Sequence, residues 1–531
     1  MEVQKSNAAL PKRLILAASI AALFYSLNAP AIAADMEDLI DKLREKGVLS
    51  EEEYQEMRTS VRAERRQEAL ETARNVDAKE KAKDNPKVTM GPGLRIESGD
   101  GQHSIAVTGR LQFDYRDLPN EYGSFNDRDS SSLGDGFEVR RARIGVNGKM
   151  FNDITYEVIT NTVGTGDLID TAWLNLGYVK PVQLRMGRFK QPFGLEQLTS
   201  SNNIDFMERS YADQLVPGKK LGAMLHGEPI VGITYAVSHF QQDSRQQSEG
   251  DGFQSAARVT LNAAQLVKWS DAVIHLGVAG TDGHYQIRPA VSSQTNSGVQ
   301  TATRATIVGF NSENRGLSNV YRAQIGGSAP GANGAFAGAA DEIAANVSKE
   351  MRGLELALAY GPVKLQGEMV TASYDATHQS AGQTVVGDVD ADYVELIWNI
   401  TGEKWSEAYR GGIFSGIKPN NNFKPGSGLG AWQIGARFST YDASDIQNSG
   451  TSSREQNADK GETLTIGLNW LLNTNVRFML NYADTKFKGN SNGSSSTNVS
   501  RGDSKVVPLD VAGTTAEDSE KVISLRGQVA F

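Results

Sequence analysis

Arginines are concentrated in one short stretch of the chain, where Arg140, Arg141 and Arg143 lie within four residues. The surrounding residues, 137–149, are predicted to form a strand. A guanidinium group stays charged and carries five N–H donors, so this cluster suits the binding of anions. Neighbours in a regular strand face opposite sides, so Arg140 and Arg141 can both face inward only across a bulge; otherwise one lies at a rim. An interfacial cluster without a transport role is the alternative.

A second polar group lies between two predicted strands, in the stretch from Phe193 to Asp213. This stretch does not alternate in polarity, and a loop of its length can fold across a pore and narrow it. The hydroxyls of Thr199, Ser200 and Ser201 can donate hydrogen bonds to an oxyanion. An ordinary surface loop is the alternative reading. Four cations flank the stretch: Lys190, Arg209, Lys219 and Lys220.

Other kinds of chemistry find little support in the sequence. The six histidines are scattered, and none accompanies a recognisable nucleophile motif of the kind a hydrolase needs. The chain has no cysteine, no zinc-ligand cluster and no glycine-rich phosphate loop at a strand–helix junction. We therefore predict no enzyme activity, no catalytic residue, no metal, no cofactor and no nucleic-acid partner.

The elements that would carry these residues are strands with a period of two. From about residue 103, apolar and polar side chains alternate in many short segments, which gives each segment one apolar and one polar face. The last strand ends at Phe531 and must pair with the first, because an open sheet edge is not stable in hydrocarbon. The count is roughly 16, and bacterial barrels have even numbers. The predicted strands are 105–115, 137–149, 154–158, 168–179, 182–190, 219–226, 231–237, 253–262, 272–281, 354–360, 363–369, 394–400, 432–438, 464–470, 476–482 and 523–531.

Connections between the strands alternate in length, which predicts short turns on one side of a membrane and long loops on the other. Tyrosine, tryptophan and phenylalanine near strand ends suit an interfacial girdle. The fold class is thus all-β: a 16-stranded antiparallel transmembrane β-barrel. Short connections lie at 150–152, 180–181, 228–229, 361–362 and 472–474, and long ones at 116–136, 282–349, 402–428, 441–460 and 487–518.

The N-terminal region differs from the rest. Basic residues, an apolar run and a small-x-small site predict a signal peptide at 1–33, and hence export. Residues 34–87 predict a periplasmic helical segment and linker, with a short coiled coil or a solvated charged helix as the two readings. Within it, Ser50 and Glu53 form a capping-box pattern. The barrel domain is expected at 88–531.

Composition agrees with a barrel that has a wet interior. Hydrophobic residues make up 39% of the chain, the mean hydropathy is −0.40, and there are 54 glycines. These values are too polar for a helical membrane protein. The formal net charge is −9, so bulk charge does not indicate an affinity for anions. Any selectivity must come from the local placement of charge.

Several motifs, in this order along the chain, resemble the phosphate-selective porins O and P of Gram-negative bacteria. The resemblance implies an outer-membrane homotrimer of 16-stranded barrels, each with its own pore, in which the third loop folds inward to a phosphate-binding constriction. The motifs are Gly109–Asp114, Arg140–Arg143, Asp170–Trp173, Gly187–Phe189 with Pro192–Glu196, and Thr199–Ser201 with Glu208–Ser210.

By the same resemblance, the constriction would be built from arginines of the first two strands, an aspartate of the fourth, and serines of the inner loop. Gln197 stands where the family has a lysine, and a neutral amide is a weaker donor to an anion than an ammonium group. The matching positions are Arg110, Arg140, Arg141, Asp170, Ser200 and Ser201. Further pore arginines implied without a fixed motif are Arg143, Arg185 and Arg209.

The expected function is therefore a water-filled, anion-preferring porin for phosphate or related small anions, embedded in outer-membrane lipid. Two alternatives remain open at this point. One is a general or differently tuned porin for small polar solutes, which Gln197 favours. The other is a mainly structural or adhesive barrel, with the extracellular loop 282–349 as its binding element.

Overall fold

Sixteen antiparallel strands close into a barrel, in which each strand pairs with its neighbours along the chain and the last pairs with the first. The strands of this computed structural model are numbered β1 to β16. The structure describes residues 40–91, 93–117, 136–164, 168–242, 252–287, 305–316, 320–325, 345–378, 383–448, 458–488, 497–500, 506–509 and 517–531. The strands are β1 Ser104–Asp117, β2 Gly136–Met150, β3 Ile154–Asn161, β4 Ile169–Val179, β5 Val182–Lys190, β6 Lys219–Ile230, β7 Ile233–Gln241, β8 Gly252–Asn262, β9 Ala272–Ile287, β10 Ala345–Tyr360, β11 Val363–His378, β12 Thr384–Asn399, β13 Ala431–Asp442, β14 Lys460–Leu471, β15 Val476–Lys488 and β16 Glu517–Ala530.

The barrel closes between β16 and β1, as the alternating C-terminal strand predicts. Val529 lies opposite Leu111 in this pairing. Beyond the strand, Phe531 donates its backbone N–H to the carbonyl of Gly109 at 3.0 Å, and Gly109 donates to the carbonyl of Phe531 at 2.8 Å. Closure leaves no unpaired edge for the bilayer to meet.

The two faces of the strands differ in the way a membrane barrel requires. In β10, Leu354, Leu356 and Leu358 point outward and are 57%, 40% and 41% exposed. The residues between them point into the barrel: Glu355 is 4% exposed and Ala357 is fully buried. An apolar outer face suits lipid, and a polar interior suits an aqueous pore.

The prediction that all long connections lie on one side was wrong for 402–428. The segment from 400 to 430 joins β12 to β13, at the same end of the barrel as the short turns. Length alone cannot assign a connection to a side; the parity of the strand that precedes it does. This segment contains a helix, Trp405–Ala408, and a small hairpin of Tyr409–Arg410 with Ile413–Phe414.

The described parts of two long segments in the second half of the barrel fold into its interior. From the short-turn end, Trp405, Tyr409 and Phe414 are buried together with Phe206 of the loop after β5. From the opposite end, Ala305–Phe310 pairs with Tyr321–Ile325. Their aromatic and aliphatic side chains are buried in the barrel. Because these segments pack inward, they narrow the space through which a solute can pass.

The described N-terminal residues up to Pro86, with Ser98–Asp100, form a compact unit separate from the barrel. Its helix α1 spans Glu51–Asp84, well beyond the apolar positions that predict it. The capping box is confirmed: Ser50 donates its backbone N–H to Glu53 Oε2 at 2.9 Å, and Glu53 donates its N–H to Ser50 Oγ at 3.3 Å. Coiled-coil association stays a prediction. The predicted signal peptide lies outside the described residues.

In the part of the chain that the structure describes, no helix has the length and apolar character needed to cross a membrane.

Candidate anion-binding constriction

The loop between β5 and β6, residues 191–218 and called the inner loop, folds into the barrel as the sequence predicts. Its helical turn Leu195–Leu198 docks against Glu368 of β11. That carboxylate accepts the backbone N–H groups of Leu195 at 2.8 Å and of Glu196 at 2.6 Å. Both residues are buried. The contact satisfies amides that the short helix cannot satisfy itself.

Buried ion pairs fix the same loop to the opposite wall of the barrel. Arg437 of β13 donates to Glu196 Oε1 at 3.0 Å and to the backbone carbonyl of Glu208 at 2.9 Å. Lys364 of β11 pairs with Asp205 at 2.5 Å. All these carboxylates belong to the inner loop, so they anchor it from one side. Removal of one partner of such a pair leaves a buried charge without compensation.

The arginine cluster in β2 is arranged around a β-bulge. Gln112 of β1 lies opposite Arg141, and the next residue, Phe113, lies opposite Val139. Arg140 is thus the extra residue, and both arginines face the interior. This is one of the two solutions that the adjacent arginines require. The side chain of Arg141 donates to Gln112 Oε1 at 2.8 Å.

Arg140 holds the inner loop. Its guanidinium makes two hydrogen bonds to the carboxylate of Glu208, at 2.9 and 3.1 Å. Arg116 and Arg526 each approach the same carboxylate at 3.2 Å. Burial alone would raise the pKa of Glu208, but Arg140 and Arg526 hold it well below its usual value. Much of the charge of Arg140 is therefore neutralised within the protein.

A second bulge places Asp170 of β4 in the interior. The pairing with β3 shifts between Ile159, opposite Thr171, and Thr160, opposite Ile169. The alternation of β4 groups Asp170 with its apolar neighbours, so an inward aspartate requires this irregularity. Its carboxylate accepts a hydrogen bond from Lys219 and pairs with Arg143 at 2.9 Å.

Arg110 meets the serines of the inner loop. Its guanidinium donates to the hydroxyl of Ser201, and Gln112 donates to the backbone carbonyl of Ser201 at 3.3 Å. Ser200 lines the adjoining cavity. The predicted residues Arg110, Asp170 and Ser200 therefore border one space. Ser201 itself is buried and is engaged by Arg110.

Two other predicted residues, Arg209 and Gln197, contact other parts of the inner loop. Arg209 donates to the backbone carbonyls of Glu196 at 3.1 Å and Thr199 at 2.9 Å, so it braces the inner loop. Gln197 is half-buried, and its side chain lies near Gly218. Among the described residues, it is not part of the cavity wall.

The cavity beside the inner loop has a volume of about 830 Å³. It extends from the constriction toward the short-turn end of the barrel, where the segment 400–430 borders it. Cations predominate over carboxylates in its wall. The charged residues that line it are Arg110, Arg185, Lys190, Lys180, Lys219, Arg258, Glu157, Asp170 and Glu228.

Comparison with known proteins assigns this arrangement to a family. The model of the phosphate-selective porin O and P family matches residues 105–507. The chain belongs to this family. Porin O of Pseudomonas aeruginosa is 25% identical over 410 residues, which are 74% of this chain and 85% of that protein. The protein is accordingly a porin of the Gram-negative outer membrane.

Solved porin structures are more distant. OmpT of Vibrio cholerae is 9% identical, with a TM-score of 0.44, and the match covers 84% of this chain and 100% of that one. An anion-selective porin from Comamonas acidovorans is 11% identical, with a TM-score of 0.41, and the match covers 81% of this chain and 100% of that one. Likenesses at this level carry no argument about function.

Two lysines of this porin have roles that the sequence did not assign. Lys190 donates to three backbone carbonyls of the inner loop, those of Gln197, Leu198 and Thr199. Its three N–H donors are thus used. Lys219 has one hydrogen-bond acceptor among the described residues, Asp170. Both lysines flank the inner loop in sequence. Their hydrogen-bond partners show that Lys190 stabilises the loop, whereas Lys219 keeps donors available to the cavity.

Proposed function

We propose that this porin is an anion-preferring channel for phosphate or related small anions. The observation that carries the proposal is a cavity wall that contains Arg110, Lys219 and Asp170, in which the carboxylate of Asp170 pairs with Lys219 and also with Arg143. Six cations against three carboxylates leave a net positive charge in the wall of the cavity. Half-buried charges act strongly on a passing ion, because the surrounding dielectric is low.

Lys219 supports the phosphate preference despite the neutral residue at position 197. Lys219 lines the cavity and its ammonium group has one acceptor among the described residues, which leaves two of its three donors to an anion. It enters from the start of β6 rather than from the inner loop. In this proposal Lys219 provides the charge that Gln197 does not.

Asp170 has a positioning role in the proposal. Its carboxylate holds Arg143 at 2.9 Å and also accepts from Lys219, which fixes two long cationic side chains near each other. It also reduces the net charge. Conduction requires anion binding that is weak enough for release, so partial neutralisation suits a channel.

The test is the reversal potential of the purified porin in a planar bilayer under a KCl gradient. An anion-preferring pore gives a reversal potential displaced toward that of chloride. A value displaced toward that of potassium would contradict the proposal. A value near zero would favour the second candidate, a general porin for small polar solutes, to which Gln197 points.

Family membership supports a homotrimer in which each barrel has its own pore. Chemical crosslinking of the porin in detergent, followed by denaturing electrophoresis, tests this state. Trimers as the largest major species agree with the proposal, and uncrosslinked monomers at saturating reagent contradict it.

A further inference from the structure

One arginine of the cavity wall differs from the other pore arginines in its surroundings. Arg185 of β5 makes no hydrogen bond and no ion pair with any residue that the structure describes, and its Nε is buried without a partner. Arg110 and Arg143, in contrast, are engaged by Ser201 and Asp170. A guanidinium whose N–H groups have no acceptor among the described residues can donate hydrogen bonds to a ligand.

The guanidinium of Arg185 stacks on the aromatic ring of Trp173. The central carbon of Arg185 lies 4.3 Å from the centre of the Trp173 ring and 5.9 Å from that of Phe189. The indole of Trp173 is itself fixed, because its Nε1 donates to Glu157 Oε1 at 3.1 Å. A cation stacked in this way keeps the N–H groups at its edge available to an anion. The carboxylate of Glu157 is not within ion-pair distance of Arg185.

The pair lies on the periplasmic side of the constriction. Arg185 is opposite Asn175 in the β4–β5 pairing, close to the short turn at 180–181, whereas Asp170 lies at the other end of β4. The wall around the pair contains apolar and aromatic side chains as well as polar ones. Its apolar and aromatic members include Ile159, Phe189, Met224 and Tyr235; of these, Met224 lies opposite Arg185 in the β5–β6 pairing.

We propose that Arg185 and Trp173 form a second subsite, which takes organic anions whose carboxylate is carried on a planar, apolar body. The carboxylate binds the edge of the guanidinium, and the planar body packs against the aromatic and apolar wall. An inorganic anion makes only the first of these contacts. The inference rests on the proposed anion pathway, since an organic anion reaches this subsite through the same cavity.

The experiment compares benzoate with acetate as blockers of chloride current in planar bilayers. The two carboxylates carry the same charge, so the ratio of their half-blocking concentrations isolates the planar body. We expect benzoate to block at a concentration roughly tenfold lower than acetate, since stacking contributes this order of affinity. Equal block by the two anions in the native porin would overturn the subsite and requires no variant.

Variants locate the effect. Trp173→Leu is expected to bring the ratio close to one, and Trp173→Phe to retain most of it. Arg185→Gln is expected to weaken block by both carboxylates. Trp398→Leu is the matched control, because Trp398 is half-exposed on the outer face of the barrel. A ratio unchanged by Trp173→Leu in channels that still conduct would contradict the assignment.

The two proposals fail in different ways. If benzoate and acetate block equally while the reversal potential in KCl stays anion-selective, the subsite is contradicted and the anion pathway is not. A cation-selective reversal potential removes the anion pathway, whatever the block shows.

Discussion

The two halves of the barrel interior differ in how much of their surface remains open. In β2 the inward side chains are partly exposed, and in β4 some of them are, whereas in β10 and β12 nearly all of them are buried. The inner loop and the two inward-folding segments pack against the second half. The cavity beside the inner loop is accordingly lined by strands of the first half and by the 400–430 segment.

The difference shows that the same cationic side chains have different roles in the two halves. In the filled half, Arg437 and Lys364 are paired with carboxylates of the inner loop and anchor it. In the open half, Arg110 and Lys219 face a cavity with few compensating groups. The number of protein acceptors around a cation, not the type of cation, separates an anchor from a binding residue. The predictions below test this contrast.

The largest effect is expected for Arg437→Met in the filled half. The change leaves the buried carboxylates of Glu196 and Glu313 without their cation. Breaking such a pair costs about 3–5 kcal/mol of stability. Chemical denaturation of the reconstituted porin should show this loss, and a released inner loop should raise single-channel conductance. The exposed Arg410→Met is the matched control; equal stability of the two variants would contradict the anchoring role.

A smaller effect is expected at the constriction for Lys219→Gln. Loss of one charged donor should weaken phosphate binding by about 1 kcal/mol or more, which is about fivefold. Block of chloride current by phosphate measures it. Lys190→Gln provides a contrast with Lys219→Gln, because Lys190 donates to three backbone carbonyls of the inner loop and its loss should disturb the loop itself. Unchanged phosphate block in Lys219→Gln would remove this lysine from the site.

The contrast between Arg110 and Arg140 sharpens the comparison within the open half. Arg110 is bonded to a neutral hydroxyl, whereas Arg140 is paired with Glu208. Arg110→Gln should therefore reduce phosphate affinity by about 1 kcal/mol, the usual worth of one hydrogen bond. Arg140→Gln should reduce it less. Titration of phosphate against chloride current compares them, and the reverse order would show that pairing does not decide the role.

The smallest effect is expected for an exposed ion pair. Lys404 and Asp271 lie 2.8 Å apart, with about half of each side chain exposed. Surface pairs contribute little, because water and salt screen them. Lys404→Ala should leave the denaturation midpoint of the reconstituted porin unchanged. A loss comparable to that of Arg437→Met would contradict the view that burial sets the contribution of a pair.

The barrel could be predicted from the sequence because the alternation of side chains and the closing strand are local signals. All 16 predicted strands are present. The side of the 400–430 segment was predicted wrongly, since length carries no information about direction. Its burial in the interior depends on contacts with Leu195 and Phe206, which are distant in sequence.

The site was partly predictable. Arg110, Asp170 and Ser200 come from the family resemblance, and the structure brings them to one cavity. The adjacent arginines indicated an irregular strand, and a bulge occurs there; the bulge beside Asp170 is a finding of the structure. The different roles of Lys190 and Lys219 could not be predicted, because they depend on which acceptors the folded inner loop presents.

The most direct test of the account is phosphate titration of chloride current, in the native porin and in Lys219→Gln side by side. The account predicts that phosphate blocks the native current and that the variant needs about fivefold more phosphate for the same block. A native chloride current that is indifferent to phosphate would contradict it.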